Sequence, residues 1–164
     1  MRAINAFKIL VIVAFIFALL ACEKEEQEKK VSEKEVPQAV INAFNNSYPG
    51  AVIKEYSEET EDGQKYYEIS CEFEGRKIDA VYHTDGSVSA IEEVIPVETL
   101  PEVVQQAIAK EVPQFSIKLA EKIEEGGETH YEVQILNTQD QKKYELEFTD
   151  TGKLIEKEEK KSLD

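Results

Sequence analysis

Two cysteines, two histidines and 34 acidic side chains are the groups in this 164-residue chain that could carry chemistry. Metal binding, nucleophilic attack and paired-carboxylate hydrolysis are the reactions open to them. His83 and His130 have no spacing to other ligands of the kind metal sites use, so both read as surface imidazoles. Cys71, within "YYEISCEFE", falls on the apolar side of an alternating run and reads as a buried, inert thiol. The glutamates alternate along strand faces, as a solvated face requires, and nothing marks a pair set apart in a cleft. "EDG", "TDG" and "TDTG" are turns that lack the close succession of acids in a calcium loop. No phosphate-cradling glycine motif occurs. The expectation is therefore no catalytic residue, no cofactor and no metal ligand: the chain reads as non-enzymatic.

The other cysteine has a different setting. Arg2 and Lys8 precede "ILVIVAFIFALL", Ile9 to Leu20, a run too short to cross a hydrocarbon core as a helix but suited to a secretory signal. Leu19-Leu20-Ala21-Cys22 resembles the lipobox of bacterial lipoproteins, although Leu20 is bulkier than the residue usual there. The resemblance implies acylation of Cys22, removal of residues 1–21 and anchoring by lipid, since two or three acyl chains hold a protein stably without a spanning helix. "EKEEQEKKVSEKE" follows, with Val31 its only aliphatic side chain. It is too polar to offset ordering entropy, so residues 22–35 are expected to form a solvated tether. Its "EKEE" also resembles the export signals that carry some lipoproteins to the outer cell surface. The expected location is the outer membrane, on its periplasmic or external face.

Formal charge is −15, and removing the two positive charges of the signal takes it to −17. Such a surface repels nucleic acid and anionic lipid, leaving membrane attachment to the acyl group. With Cys22 acylated, Cys71 has no disulfide partner, so the domain must rest on a hydrophobic core.

The elements that must position everything else come as a duplication. Pro37, Ala43, Pro49, Gly63, Tyr67 and Glu68 recur 64 residues later as Pro101, Ala107, Pro113, Gly127, Tyr131 and Glu132; Ile78, Tyr82 and Gly86 recur 66 later as Tyr144, Phe148 and Gly152. Two units are expected, 36–95 and 96–159, with a tail at 160–164. Each opens with a helix started by proline, bearing Val40, Ile41, Phe44 and Tyr48 in one copy and Val104, Ala107, Ile108 and Val112 in the other. Strands with period-two alternation follow: Tyr67, Ile69, Cys71 and Phe73; Ile78, Ala80 and Tyr82; then Tyr131, Val133 and Ile135; then Tyr144, Leu146 and Phe148. The fold expected is α+β, a tandem duplication of a helix with a four-stranded antiparallel sheet.

This order and its "P…YPG…DG…YYEI…DG" texture are similar to the PepSY-like group whose fold resembles the β-lactamase inhibitor protein. The resemblance implies a non-enzymatic binding protein. It departs from the inhibitor in lacking disulfides and tryptophan, so inhibition of a β-lactamase is not carried over.

If the apolar sets face the helices, the opposite face carries Tyr66, Glu68, Ser70, Glu72, Lys77, Asp79, Val81 and His83. In the second copy it carries His130, Glu132, Gln134, Leu136, Lys143, Glu145 and Glu147. An antiparallel sheet with one wet face is ordinary. Tyr66, Glu68, Val81, His83, Glu132 and Leu136 are the candidate contacts for a partner: Tyr66, Val81 and Leu136 are aromatic or apolar on an otherwise acidic face, and tyrosine is a usual interface anchor. The partner expected is an envelope protein or basic peptide, bound by a monomer. The alternative is a structural or cation-buffering lipoprotein without a specific partner.

Overall fold

The structure, a computed structural model, describes residues 27–61 and 63–160. The signal segment and Cys22 lie outside those residues. Nine strands form one antiparallel sheet in which spatial order equals chain order. A short strand β1 (Gln27–Lys30) leads through a 3-10 turn (Glu33–Glu35) to helix α1 (Gln38–Ser47). Strands β2 (Val52–Glu61), β3 (Gln64–Phe73), β4 (Arg76–His83) and β5 (Val88–Val94) follow. The second half repeats this with α2 (Glu102–Glu111), β6 (Phe115–Glu125), β7 (Glu128–Asn137), β8 (Lys143–Thr149) and β9 (Leu154–Lys160).

Both helices begin directly after a proline, Pro37 and Pro101. Each buries a narrow apolar stripe on the same side of the sheet. Val40 and Phe44 of α1 pack on Tyr67, Ile69, Cys71, Ile78, Ala80 and Tyr82. Val104 and Ile108 of α2 pack, with Val112, on Ala120, Val133, Ile135, Leu146 and Phe148. The turn after the third strand of each unit touches the helix. A Cβ on Gly86 would lie 2.7 Å from the carbonyl oxygen of Ala39, and one on Gly152 would lie 2.7 Å from that of Val103. Both glycines also have positive φ, 86° and 79°, so the duplicated glycine is required twice over.

Two expectations change, and a point that the sequence leaves open closes. The two units share a single sheet, because β5 and β6 pair over Ala90–Glu125 to Val94–Glu121. The tether does not run to residue 35: Gln27–Lys30 pairs antiparallel with β2, Val31 packs against the first core, and its N–H donates to the Tyr56 carbonyl at 2.9 Å. Strand pairing uses backbone groups and needs no apolar side chain, which is why a charged run can take an edge position. Lys160, expected to open the tail, is the last residue of β9.

The sheet also curls. Register shifts fall between Ile53 and Glu55 and between Val81 and Tyr82, and at the duplicated positions between Ile117 and Leu119 and between Glu147 and Phe148. Bulges of this kind bend and twist a strand.

Candidate functional site

Cross-strand partners share a face, so the registers define what lines the side away from the helices. Ser57 lies opposite Glu68, Glu68 opposite Val81 and Asp79 opposite Glu92. Val94 lies opposite Glu121, Glu121 opposite Glu132, Glu132 opposite Glu147, and Glu145 opposite Glu158. An acidic stripe thus crosses the strands from β2 to β9.

This face is not the solvated surface the alternation predicts. Val81 is 5 % exposed, Glu92 3 %, Glu121 2 % and Ser57 1 %. Both helices lie on the other side, and among the described residues no helix covers this face, where the acidic side chains crowd one another. Oε1 of Glu92, Oε1 of Glu121 and Oγ of Ser57 have no hydrogen-bond partner.

Crowding carboxyls away from water holds protons on them. Burial, followed by the charges of Asp79 and Glu59, pushes Glu68 up to about 9. Burial, followed by Glu145 and Glu121, pushes Glu132 up to about 9. Glu121 is raised to about 7 by burial and then Asp79. Glu92 is raised well above the ordinary carboxylate range by burial, then by Glu68 and Glu121. Asp79 and Glu147 are raised for the same first reason. Ser70 Oγ donates to Glu68 at 3.1 Å. At the C-terminal end Glu132, Glu145, Glu147, Glu156 and Glu158 line a shallow cleft. Among the described residues no group of three or more His, Cys, Asp or Glu is placed to hold a metal ion.

The six residues expected to contact a partner divide. Tyr66 faces His83 across β3 and β4, ring centroids 5.1 Å apart, with Glu68 and Val81 the next pair on that face. Val81, expected to be exposed, is buried. Glu132 belongs to the stripe, while Leu136 sits beside Lys143 toward the other end of β7. His130, expected at the surface, lies on the acidic face with Nδ1 3.0 Å from Glu147 Oε1. Cys71 is buried, and burial pushes its thiol up to about 11. Sequence reasoning missed Ser57, Glu92 and Glu121. Alternation in "SAIEEVI" leaves open which of Glu92 and Glu93 faces the helices, and the bulge near Lys118 shifts the phase in β6.

One antiparallel sheet bent by bulges, with two helices on one side and an acidic other side that no helix covers among the described residues, defines a tandem α+β protein. The chain belongs to the PepSY-like family: residues 22–89 and 65–156 match the family described as "Putative beta-lactamase-inhibitor-like, PepSY-like". Solved structures share the fold. A BLIP-like protein from Bacteroides fragilis is 23% identical with TM-score 0.59, covering 78% of this chain and 89% of that one. A DUF2874 family protein from Bacteroides uniformis is 19% identical with TM-score 0.63, covering 75% and 88%. A protein from Bacteroides eggerthii described as "putative periplasmic" is 19% identical with TM-score 0.65, covering 76% and 88%. No curated protein matches the chain.

Proposed function

We propose that the protein is a non-enzymatic, lipid-anchored binding module of the cell envelope, held at the outer membrane through Cys22. As a monomer, it recognises or restrains a protein partner through the acidic sheet face. The units 36–95 and 96–159 each supply one helix and half of that face. The observation that carries the reading is the burial of Glu92 and Glu121 with unpaired oxygens on a face that, among the described residues, no helix covers. Leaving such groups without partners costs roughly 1–3 kcal/mol each, a cost that fits a surface awaiting a complement. The family's inhibitor-like description and the periplasmic description of the B. eggerthii neighbour support the class and the compartment. A pull-down from envelope extract tests it. The protein should retain a partner that a Glu68→Lys/Glu132→Lys variant does not; equal retention by both, or none, refutes the reading.

The five-glutamate cleft favours a second reading, cation buffering. Calorimetry with calcium and magnesium separates the two, because saturable heat supports buffering and a flat trace supports partner binding.

A further inference from the structure

Both ends of the acidic stripe are already filled by the chain's own ammonium groups. At the β9 edge Lys160 Nζ lies 2.7 Å from Glu145 Oε1 and 2.8 Å from Glu158 Oε2. At the β1 edge Lys30 Nζ meets the Glu55 carboxylate. Between them, Glu68, Asp79, Glu92, Glu121 and Glu132 enter no ion pair among the described residues, and two of them hold a buried oxygen with no hydrogen-bond partner. Ser57, opposite Glu68, adds a buried hydroxyl without a partner.

We propose that this five-carboxyl centre receives the ammonium or guanidinium groups of an extended basic segment of the partner, as Lys30 and Lys160 fill its two ends. The inference rests on the acidic face being the partner surface. Length and donor count favour this occupant. Neighbouring strands are about 4.8 Å apart, so four steps from β3 to β7 span roughly 19 Å. An extended segment of about six residues covers that distance. A calcium ion needs six to eight oxygens around one point, whereas these carboxyls stand in a row with no convergent group. An ammonium brings three N–H donors and a guanidinium five, in a site short of donors.

The free carboxyls hold protons that an incoming cation displaces, so binding releases protons near neutral pH. The charged groups around them are Glu55 and Glu59 on β2, Lys77 and His83 on β4, and His130 on β7. Glu145, Glu147 and Lys143 on β8 and Glu156, Glu158 and Lys160 on β9 share the face, as do Lys30 on β1, Glu61 on β2, Glu72 on β3, Glu125 on β6 and Glu128 on β7.

The test titrates a fluorescent alternating Lys-Ser nonapeptide into the full chain by anisotropy, with calorimetry in two buffers to count released protons. Glu68→Gln/Glu132→Gln should weaken binding about tenfold, the size expected for losing charge-assisted hydrogen bonds. Glu98→Gln/Glu102→Gln, which removes two formal negative charges away from the face, should leave it unchanged. Lys160→Ala removes an internal competitor and should tighten binding about threefold, while Lys157→Ala, which loses the same charge on the helix side, should not. Glutamine is isosteric with protonated glutamate, and circular dichroism verifies folding. Equal effects within either matched pair overturn the proposal, since attraction would then be to net charge. Saturable binding of calcium or spermidine with none of the peptide also overturns it. If an envelope partner is lost on Glu68→Gln/Glu132→Gln but the peptide does not compete, this inference fails and the proposed function stands. If acidic-face variants retain the partner fully, the proposed function fails.

Discussion

Raising the pH from 5 to 7 should destabilise this protein steeply. Glu68 and Glu132 are pushed up to about 9, and Glu92 well above the ordinary range, by burial first and neighbouring carboxyls second. In the unfolded chain the same groups titrate near 4.3. The folded state therefore binds more protons across this window, and stability, fully present below the unfolded value, is lost as pH climbs toward the folded values. Each extra proton contributes about 1.4 kcal/mol per pH unit. Glu68, Glu132 and Glu92 alone would contribute about 4 kcal/mol per unit, and Glu121, raised to about 7, adds to them. Because ionising one carboxyl holds the proton on its neighbours, about two is the expected net uptake, or about 3 kcal/mol per unit. Glu35, Glu58 and Asp85 act in the opposite sense: their hydrogen bonds hold them low, so their contribution is lost only as pH falls below about 4.5. Maximum stability should thus lie near pH 5. Urea unfolding at unit intervals from pH 4 to 9 gives the proton count as the slope of free energy against pH. Glu68→Gln/Glu132→Gln should flatten the decline between pH 5 and 7. Stability that is constant or rises across that interval would show that these carboxyls are ionised in the fold and would refute the reasoning.

Gly86→Ala and Gly152→Ala should each cost about 2 kcal/mol or more, through positive φ plus contact with helix backbone, whereas Gly63→Ala, with open space around it, should cost about 1 kcal/mol; chemical denaturation compares them. Phe44→Ala or Phe148→Ala should remove about 3–5 kcal/mol, because each side chain is fully buried under its helix. Cys22→Ser should shift the protein from the membrane to the soluble fraction of a cell lysate, with loss of metabolic palmitate labelling. Its retention in the membrane fraction would refute acylation as the anchor.

Much of the scaffold was legible in local pattern. Pro37 and Pro101, the helical stripes and the alternation of Tyr67, Ile69 and Cys71 all mark faces set by backbone period, and every one of those strand residues is buried as expected. Charge patterning misled at Gln27–Lys30, where a hydrophilic run pairs through its backbone with the open edge of β2. It misled again at Val81, whose position away from the helices suggested solvent.

From sequence came the duplication, the side of each regular strand that meets a helix, the non-enzymatic expectation and the lipid signature at Cys22. These follow from residue types at short, fixed spacings. Only the tertiary structure decided that β5 joins β6, and that Glu92 and Glu121 are buried on the face away from the helices beside other carboxyls. A bulge shifts the phase of a strand and bends it, and pairing across nine strands carries that shift far along the chain. The protonation of a carboxyl depends on neighbours distant in the chain and close in space, as that of Glu121 depends on Asp79, and no local spacing records that.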